Sequence, residues 1–147
     1  MAKNSQKRRK FGMLIDSPGY GYVFAPVHLK KRWKKMMFKY LGFSVRLNLI
    51  LLCVNAHIGL KSNDIQMLDD LRHFNKPVQV VLTKIDKVKG GQNDLIKIMA
   101  ETSRLLMKYD KFVNPELHLV CSDHFFGIKE LRTRIAIAFE ETNRRIT

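Results

Sequence analysis

The chain has 147 residues and carries 27 lysine and arginine residues against 13 aspartate and glutamate residues, for a net charge of +14. Apolar residues make up 46% of it, enough for a globular core, and no uncharged apolar run approaches the ~20 residues that span a bilayer. Composition therefore excludes a disordered chain and an integral membrane helix, and it predicts one strongly basic domain.

The positive charge is concentrated in the N-terminal third. Residues 1–46 hold twelve basic residues against a single acid, Asp16, whereas the remaining residues hold fifteen against twelve. A negatively charged partner is therefore expected to bind that third. We expect residues 1–10 to form a basic tail and residues 11–147 to form the folded domain.

The two cysteines, Cys53 and Cys121, each lie within an apolar stretch. This setting predicts buried, reduced thiols rather than a disulfide framework or a metal site. The N-terminus has no signal-peptide pattern, so secretion is not expected. We expect an intracellular protein of the cytoplasm, a mitochondrion or another organelle.

Short apolar runs of strand length alternate with longer amphipathic stretches. The runs cover residues 11–15, 47–54, 78–82 and 117–120. Apolar residues at helical spacing follow each run, over residues 26–41, over residues 62–74 with Ser62 as the expected cap, over residues 94–109 and from residue 127 onward. The order βαβαβαβα predicts an α/β fold of three layers, with a mostly parallel sheet covered by helices on both faces.

Ligands of such a sheet bind at the carboxyl ends of its strands, so the loops there are the candidate sites. The first loop contains Asp16, Pro18 and Gly19. An aspartate at a strand end can hold a cation through a water, and a glycine lets a backbone N–H approach an anionic oxygen. An ordinary turn is the alternative interpretation.

The loop after the third predicted strand reads Thr83-Lys84-Ile85-Asp86. A carboxylate at Asp86 can accept parallel hydrogen bonds from the N1–H and the exocyclic amine of guanine, while the stem of Lys84 covers the ring. Adenine lacks this donor pair and would be rejected. The alternative is a solvated charged loop. After the last strand, Cys121-Ser122 could bring a backbone N–H to the guanine O6.

Taken in chain order, these loops resemble those of the translation-factor-like GTPases of the TrmE-Era-EngA-EngB-septin group. Within them the chain is similar to the EngB (YihA) family and its organellar GTP-binding relatives. Residues 14–22 resemble the family's L-[VI]-D-x-P-G-Y-G-[YF] switch, and residues 82–87 resemble its guanine-recognition loop. Asp64 and Met67 also fit, and the resemblance covers roughly residues 11–140.

The resemblance implies a P-loop-type G domain with GTP or GDP and Mg²⁺ as ligands, and a role in large ribosomal subunit assembly with rRNA contact. It assigns Asp16, Pro18 and Gly19 to the phosphate-sensing switch, with Asp16 reaching Mg²⁺ through a water. The residues assigned to guanine binding are Thr83, Lys84, Asp86, Cys121 and Ser122.

The sequence also departs from the family's pattern. It contains no G-x-x-x-x-G-K-[ST], the motif that cradles phosphate, and it lacks the threonine of the first switch. Tyr20 rather than glutamine follows Gly19, and Cys121 stands where the family has serine. Strong intrinsic hydrolysis is therefore not expected, and the G domain is expected to be N-terminally incomplete.

The missing cradle strand would lie between the strand that ends at Asp16 and the strand that ends at Val54. We expect that these two strands close up, that another chain fills the gap, or that the sequence is part of a longer protein. An unfilled gap would leave backbone groups unpaired at ~1–3 kcal/mol each.

The helix predicted over residues 26–41 carries Lys30, Lys31, Lys34 and Lys35 on one face. These lysines could contact rRNA phosphates, and a solvated helix face is the alternative. Trp33 and the neighbouring methionine pair share the apolar stripe and are expected in the core. Two other functions stay open: a nucleotide-free scaffold that binds rRNA or protein through the basic third, and peripheral attachment to an anionic membrane.

Overall fold

The computed structural model describes residues 12–20 and 26–145, with side chains through residue 141. The predicted basic tail of residues 1–10 lies outside the described residues. So do Phe11 at the start of the first predicted strand, and Gly21 and Tyr22 of the switch motif.

Helices and strands alternate along the described chain. The helices are α1 (Val27–Phe43), α2 (Ser62–Leu71), α3 (Gly91–Leu106) and α4 (Ile128–Arg145). The strands are β1 (Ile50–Asn55), β2 (Val78–Thr83) and β3 (His118–Val120). Single 3₁₀ turns follow or link these elements at Arg72–Phe74, Ile85–Lys87 and Met107–Tyr109.

The strands form a parallel sheet in the order β1-β2-β3. Ile50 of β1 lies opposite Val78 of β2, and Val81 of β2 lies opposite His118 of β3. Because every crossover contains a helix, all three strands end at one edge, where the loops after β1, β2 and β3 meet. The predicted α/β class and parallel sheet are confirmed.

The two faces of β2 show why the fold has three layers. Its alternate residues Val78, Val80 and Leu82 belong to one buried hydrophobic cluster that also takes side chains from α1, α2 and α3. The fully buried Gln79 points the other way, and its Oε1 accepts a 3.3 Å hydrogen bond from Nε of Arg134 in α4. Helices therefore cover both faces of the central strand.

The first predicted strand is wrong for residues 12–15, which have no regular secondary structure. Met13 and Leu14 are 77% and 74% exposed. An apolar run forms a strand only where its N–H and C=O groups meet those of a neighbouring strand, and among the described residues the sheet ends at β1. Of the three alternatives for the missing cradle strand, the closing up of this run against β1 is therefore not seen among the described residues.

Two smaller expectations also need correction. Ser62 does not cap α2: Oδ2 of Asp64 instead accepts the backbone N–H of Lys61 at 2.7 Å. Both cysteines are free, but only Cys121 is buried, whereas Cys53 is exposed at the edge strand. Among the described helices, none is both long and apolar enough to cross a bilayer.

Candidate functional site

Hydrogen bonds tie the carboxyl ends of β1 and β2 together. The hydroxyl of Thr83, the last residue of β2, donates to the carbonyl of Val54 at 3.2 Å. The backbone N–H of Ala56 donates to the Thr83 carbonyl at 2.8 Å. Thr83 therefore holds the start of the loop that follows β2 in place.

Lys84 turns the chain out of the sheet. Its backbone has a φ of 55° and a ψ of 42°, which is left-handed and uncommon for a residue with a Cβ. The 3₁₀ turn Ile85–Lys87 follows at once and presents Asp86 at the sheet edge. Strain of this kind persists at ligand sites, where the surrounding structure holds it in place.

The Asp86 carboxylate is held in its ionised form. Nζ of Lys87 lies 2.9 Å from its Oδ2, and the thiol of Cys121 lies close enough to affect its pKa. The Lys87 ammonium and then the Cys121 thiol lower the pKa of Asp86 to about 2. The structure thus brings together Asp86 and Cys121, two predicted guanine-binding residues that are 35 positions apart in the sequence.

The loop after β3 closes back on itself. The backbone N–H of Cys121 donates to the Phe126 carbonyl at 3.1 Å, so that N–H is already committed. Ser122, which follows it, is exposed. The turn depends on Gly127, whose φ is 70° and where a Cβ would overlap the carbonyl oxygen of Leu119.

Two features of these loops escaped the sequence analysis. Nζ of Lys87 also lies 3.6 Å from Oδ2 of Asp123, which links the second and third loops electrostatically. The sequence pattern predicts Gly127 only as the start of the last helix. The sequence held a signal for each feature. Asp123, an acidic residue in the loop, was the signal for the ion pair, and the glycine four residues later, directly before a helix, was the signal for the turn.

The predicted phosphate-sensing residues lie on the coil of residues 12–20, beside β1. The Asp16 carboxylate is close enough to Cys53 that it raises the pKa of that thiol, after the larger effect of local desolvation. The Tyr20 hydroxyl donates to Oδ1 of Asp64 at 2.8 Å and approaches the carbonyl of Cys53 at 3.4 Å. This coil is not part of the sheet β1-β2-β3.

Asp16 does not make a Mg²⁺ site by itself. Among the described side chains, no group of three or more histidine, cysteine, aspartate or glutamate residues could hold a metal ion. Mg²⁺ requires near-octahedral oxygen coordination and is usually held by one or two carboxylates together with substrate phosphates. A magnesium ion at Asp16 would therefore need oxygen ligands from a bound phosphate as well.

The basic face of α1 is exposed, as predicted, and Lys30, Lys31, Lys34 and Lys35 lie on it. Lys34 differs from the others because its Nζ lies 2.6 Å from Oδ2 of Asp70 and 5.0 Å from the centre of the Phe38 ring. Its charge is therefore partly neutralised within the chain.

The expectation that Trp33 and the methionine pair lie in the core holds only in part. Met37 packs against the buried cluster, whereas Met36 is 56% exposed. Trp33 is half-buried and lines a pocket that also includes Pro18, Gly19 and Tyr20 of the coil.

A parallel sheet with helices on both faces and a T-K-x-D loop at its carboxyl edge define a G-domain-like α/β protein. No protein-family model matches the chain. Solved structures with the same fold include the apo translation elongation factor SelB from Methanococcus maripaludis, with a TM-score of 0.66, 21% identity and coverage of 86% of this chain and 25% of that one. A crystal structure of a probable GTP-binding protein EngB gives a TM-score of 0.62 at 21% identity, covering 86% and 77%.

Sequence comparison finds more similar proteins than the structural comparison does. The probable GTP-binding protein EngB of Bartonella quintana (strain Toulouse) is 36% identical over 122 residues, which are 83% of this chain and 55% of that protein. The EngB of Jannaschia sp. (strain CCS1) is 36% identical over 123 residues, 84% and 55% of the two chains. The chain spans about half the length of the curated relatives it matches. Over that length the chain is similar to the EngB-type GTP-binding proteins.

Proposed function

We propose that the chain binds guanine nucleotide through the loops after β2 and β3. The observation that carries this proposal is the position of the Asp86 carboxylate, which the 3₁₀ turn after β2 holds at the carboxyl edge of the sheet, 2.9 Å from Nζ of Lys87. An ionised carboxylate only accepts hydrogen bonds, which matches the paired N1–H and amine donors of guanine. The similar EngB proteins are described as probable GTP-binding proteins, which supports the same ligand class.

The other predicted residues complete the base site. The exposed Lys84 can lay its stem along the ring, and the Ser122 N–H can donate to O6. The phosphates and an accompanying Mg²⁺ would lie toward Asp16, Pro18 and Gly19. Because the sequence has no G-x-x-x-x-G-K-[ST] motif, we expect this chain to obtain most of its affinity from the base.

A change of base specificity tests this proposal. The chain is titrated with fluorescent GTP and XTP analogues in Mg²⁺, alongside Asp86→Asn. The asparagine amide can donate to the O2 carbonyl of xanthine, so the variant should lose roughly 100-fold or more for guanine and favour xanthine. Asp123→Asn is the matched control, since that carboxylate is 67% exposed and should leave the preference unchanged. Absence of saturable GTP binding by the native chain would disprove the proposal.

We also propose that α1 contacts ribosomal RNA, as expected for a protein similar to EngB that acts in large-subunit assembly. α1 carries six basic residues and no acidic residue over its 17 positions. Within the described part of the chain, Lys34 is the one residue of α1 in an ion pair. A helix with this much uncompensated charge is stabilised by a polyanion, whose phosphates the lysines would neutralise.

Charge reversal at the four lysines tests the RNA proposal. Glutamate at positions 30, 31, 34 and 35 should weaken binding to an rRNA fragment and flatten the dependence of log K on log salt by up to roughly 0.7 per lysine. The control reverses Lys89, Lys108, Lys111 and Lys129, which are also exposed and change the net charge equally. Equal losses in both variants would show that net charge, and not α1, determines RNA binding.

A nucleotide-free scaffold is the second candidate function. The missing phosphate-cradle motif favours it, because the chain could then keep its RNA-binding helix without nucleotide affinity. RNA binding in a chain that fails the GTP titration would support it. For either function we propose an intracellular location, and the bacterial relatives favour the cytoplasm over an organelle.

A further inference from the structure

A pocket of about 270 Å³ lies where the coil of residues 18–20 meets α1 and α2. Its lining combines the aromatic ring of Trp33 with the apolar Met37 and Met67 and with the amide side chains of Asn63 and Gln66. Ligand pockets for drug-sized molecules begin at about 300 Å³, so this one suits a single planar ring system rather than a larger group.

Trp33 is available to a ligand. It is half-buried, and among the described residues the hydrophobic cluster with its packed side chains includes Met37 and Met67 but not Trp33. An aromatic face outside the core, supported by methionines, offers a stacking surface for the flat face of a base.

The amides supply what the edge of a base requires. The side-chain amides of Asn63 and Gln66 each carry a hydrogen-bond donor and a hydrogen-bond acceptor. Together they can pair with the edge of a nucleobase, which also carries both donors and acceptors. An acidic peptide would use only the cations of this surface and would leave the amide groups and the indole ring unused. The lining therefore favours a nucleic acid over an acidic protein segment.

The charged residues that line the pocket favour one path for the phosphate backbone of a nucleic acid. Lys30 and Lys31 line the pocket, and no carboxylate of the described chain lies within ion-pair distance of either. Asp70 binds Lys34 at 2.6 Å and accepts a 3.4 Å hydrogen bond from Gln66 Nε2. Since Asp70 repels phosphate on that side, the strand should run past Lys30 and Lys31.

We propose that this pocket takes one unstacked base of single-stranded RNA, stacked on Trp33, with the neighbouring phosphates on Lys30 and Lys31. This inference rests on the proposed RNA contact of α1 and adds to it the form of RNA that binds. Single-stranded segments expose their bases for stacking on aromatic side chains, whereas the bases of a duplex stay inside it.

Trp33 is the single tryptophan of the chain, so its fluorescence reports this pocket directly. The full chain is titrated with a single-stranded RNA decamer, with the same backbone lacking bases, with the matching duplex and with poly-glutamate. The decamer should quench Trp33 and bind roughly ten-fold or more tightly than the abasic strand. Measured by the anisotropy of a fluorescently labelled decamer, since these variants lack the tryptophan, Trp33→Ala should reduce decamer affinity to the abasic level, while Trp33→Phe should retain most of it.

Asn63→Asp provides a second variant that leaves the apolar lining intact. A carboxylate at this exposed position should weaken decamer binding more than abasic binding, because it removes the amide donors to the base. Circular dichroism confirms that each variant is folded.

The outcomes separate the two proposals. If the abasic strand or the duplex binds as well as the decamer and Trp33 is not quenched, the base pocket is wrong and the phosphate contact of α1 stands. If poly-glutamate quenches Trp33 as well as the decamer does, the occupant is an acidic protein segment and the base pocket is again wrong. If none of the RNAs binds, both proposals fail.

Discussion

The hydroxyl of Tyr20 donates a 2.8 Å hydrogen bond to Oδ1 of Asp64, while Oδ2 of the same carboxylate accepts the backbone N–H of Lys61 at 2.7 Å. One carboxylate therefore caps α2 and anchors the coil that carries Pro18 and Gly19. This contact spans 44 positions of sequence and connects the predicted switch to the wall of the Trp33 pocket.

Removing the Tyr20 hydroxyl should destabilise the fold. Tyr20→Phe deletes a hydrogen bond to a charged group, so the free energy of unfolding should fall by about 1.5–3 kcal/mol in urea denaturation. Tyr40→Phe, at a residue that is 40% exposed, is the control and should change stability by less than about 0.5 kcal/mol. Equal effects of the two substitutions would contradict the anchoring role.

The hydrogen bond between Tyr20 and Asp64 should also make the stability of the fold depend on pH in the alkaline range. Burial and then the Asp64 hydrogen bond raise the pKa of Tyr20 above its ordinary value. Its contribution to stability is complete below the unfolded pKa of about 10 and is lost as pH rises toward the folded pKa. The native chain should therefore lose stability above pH 10 more steeply than Tyr20→Phe, as measured by denaturation at several pH values. Parallel profiles would contradict this expectation.

Alanine at Gly127 should be much more harmful than alanine at Gly59. Both glycines have a φ of 70°, so the left-handed backbone costs each alanine roughly 1–2 kcal/mol. Only at Gly127 does the new Cβ overlap a backbone oxygen, that of Leu119, whereas nothing lies within 4 Å at Gly59. Thermal or urea denaturation of the two variants should show the larger loss at Gly127, and equal losses would rule out the steric argument.

The stability of the fold at acidic pH should depend on the Asp86 carboxylate. Lys87 and Cys121 lower the pKa of Asp86 to about 2, below its unfolded value of about 3.9. The stabilisation is present above pH 4 and is lost as the pH falls toward 2. In Asp86→Asn the free energy of unfolding should therefore fall less between pH 4 and pH 2 than it does in the native chain, as measured by urea denaturation at several pH values. An unchanged profile in Asp86→Asn would contradict this expectation.

The two thiols should react at different rates. Cys53 is exposed and Cys121 is buried, so a thiol reagent should label Cys53 first and Cys121 only as the chain opens. Cys53→Ser should remove the fast phase in a stopped-flow labelling experiment, and Cys121→Ser should remove the slow one. Because desolvation and Asp16 raise the pKa of Cys53, its labelling should still be slower than that of a free thiol at neutral pH. Two equal phases would contradict the structure.

Much of the fold could be predicted because it depends on local patterns. Apolar residues at helical spacing locate α1 and α3, and continuous apolar runs locate β1 and β2. The T-K-x-D loop falls at the end of β2 because parallel strands place their following loops at one edge. The contact between Asp86 and Cys121 follows from that arrangement.

The sequence by itself thus determined the helices, the three parallel strands and the loop that carries Asp86, since periodicity and turn chemistry specify each of them locally. Only the tertiary structure decided that residues 12–15 do not form a strand, because a strand needs a partner edge and the run does not encode one. It also decided that Cys53 is exposed, that Lys34 pairs with Asp70 and that Trp33 lines a pocket. Each of these depends on which distant residues pack nearby, and composition and spacing do not carry that information.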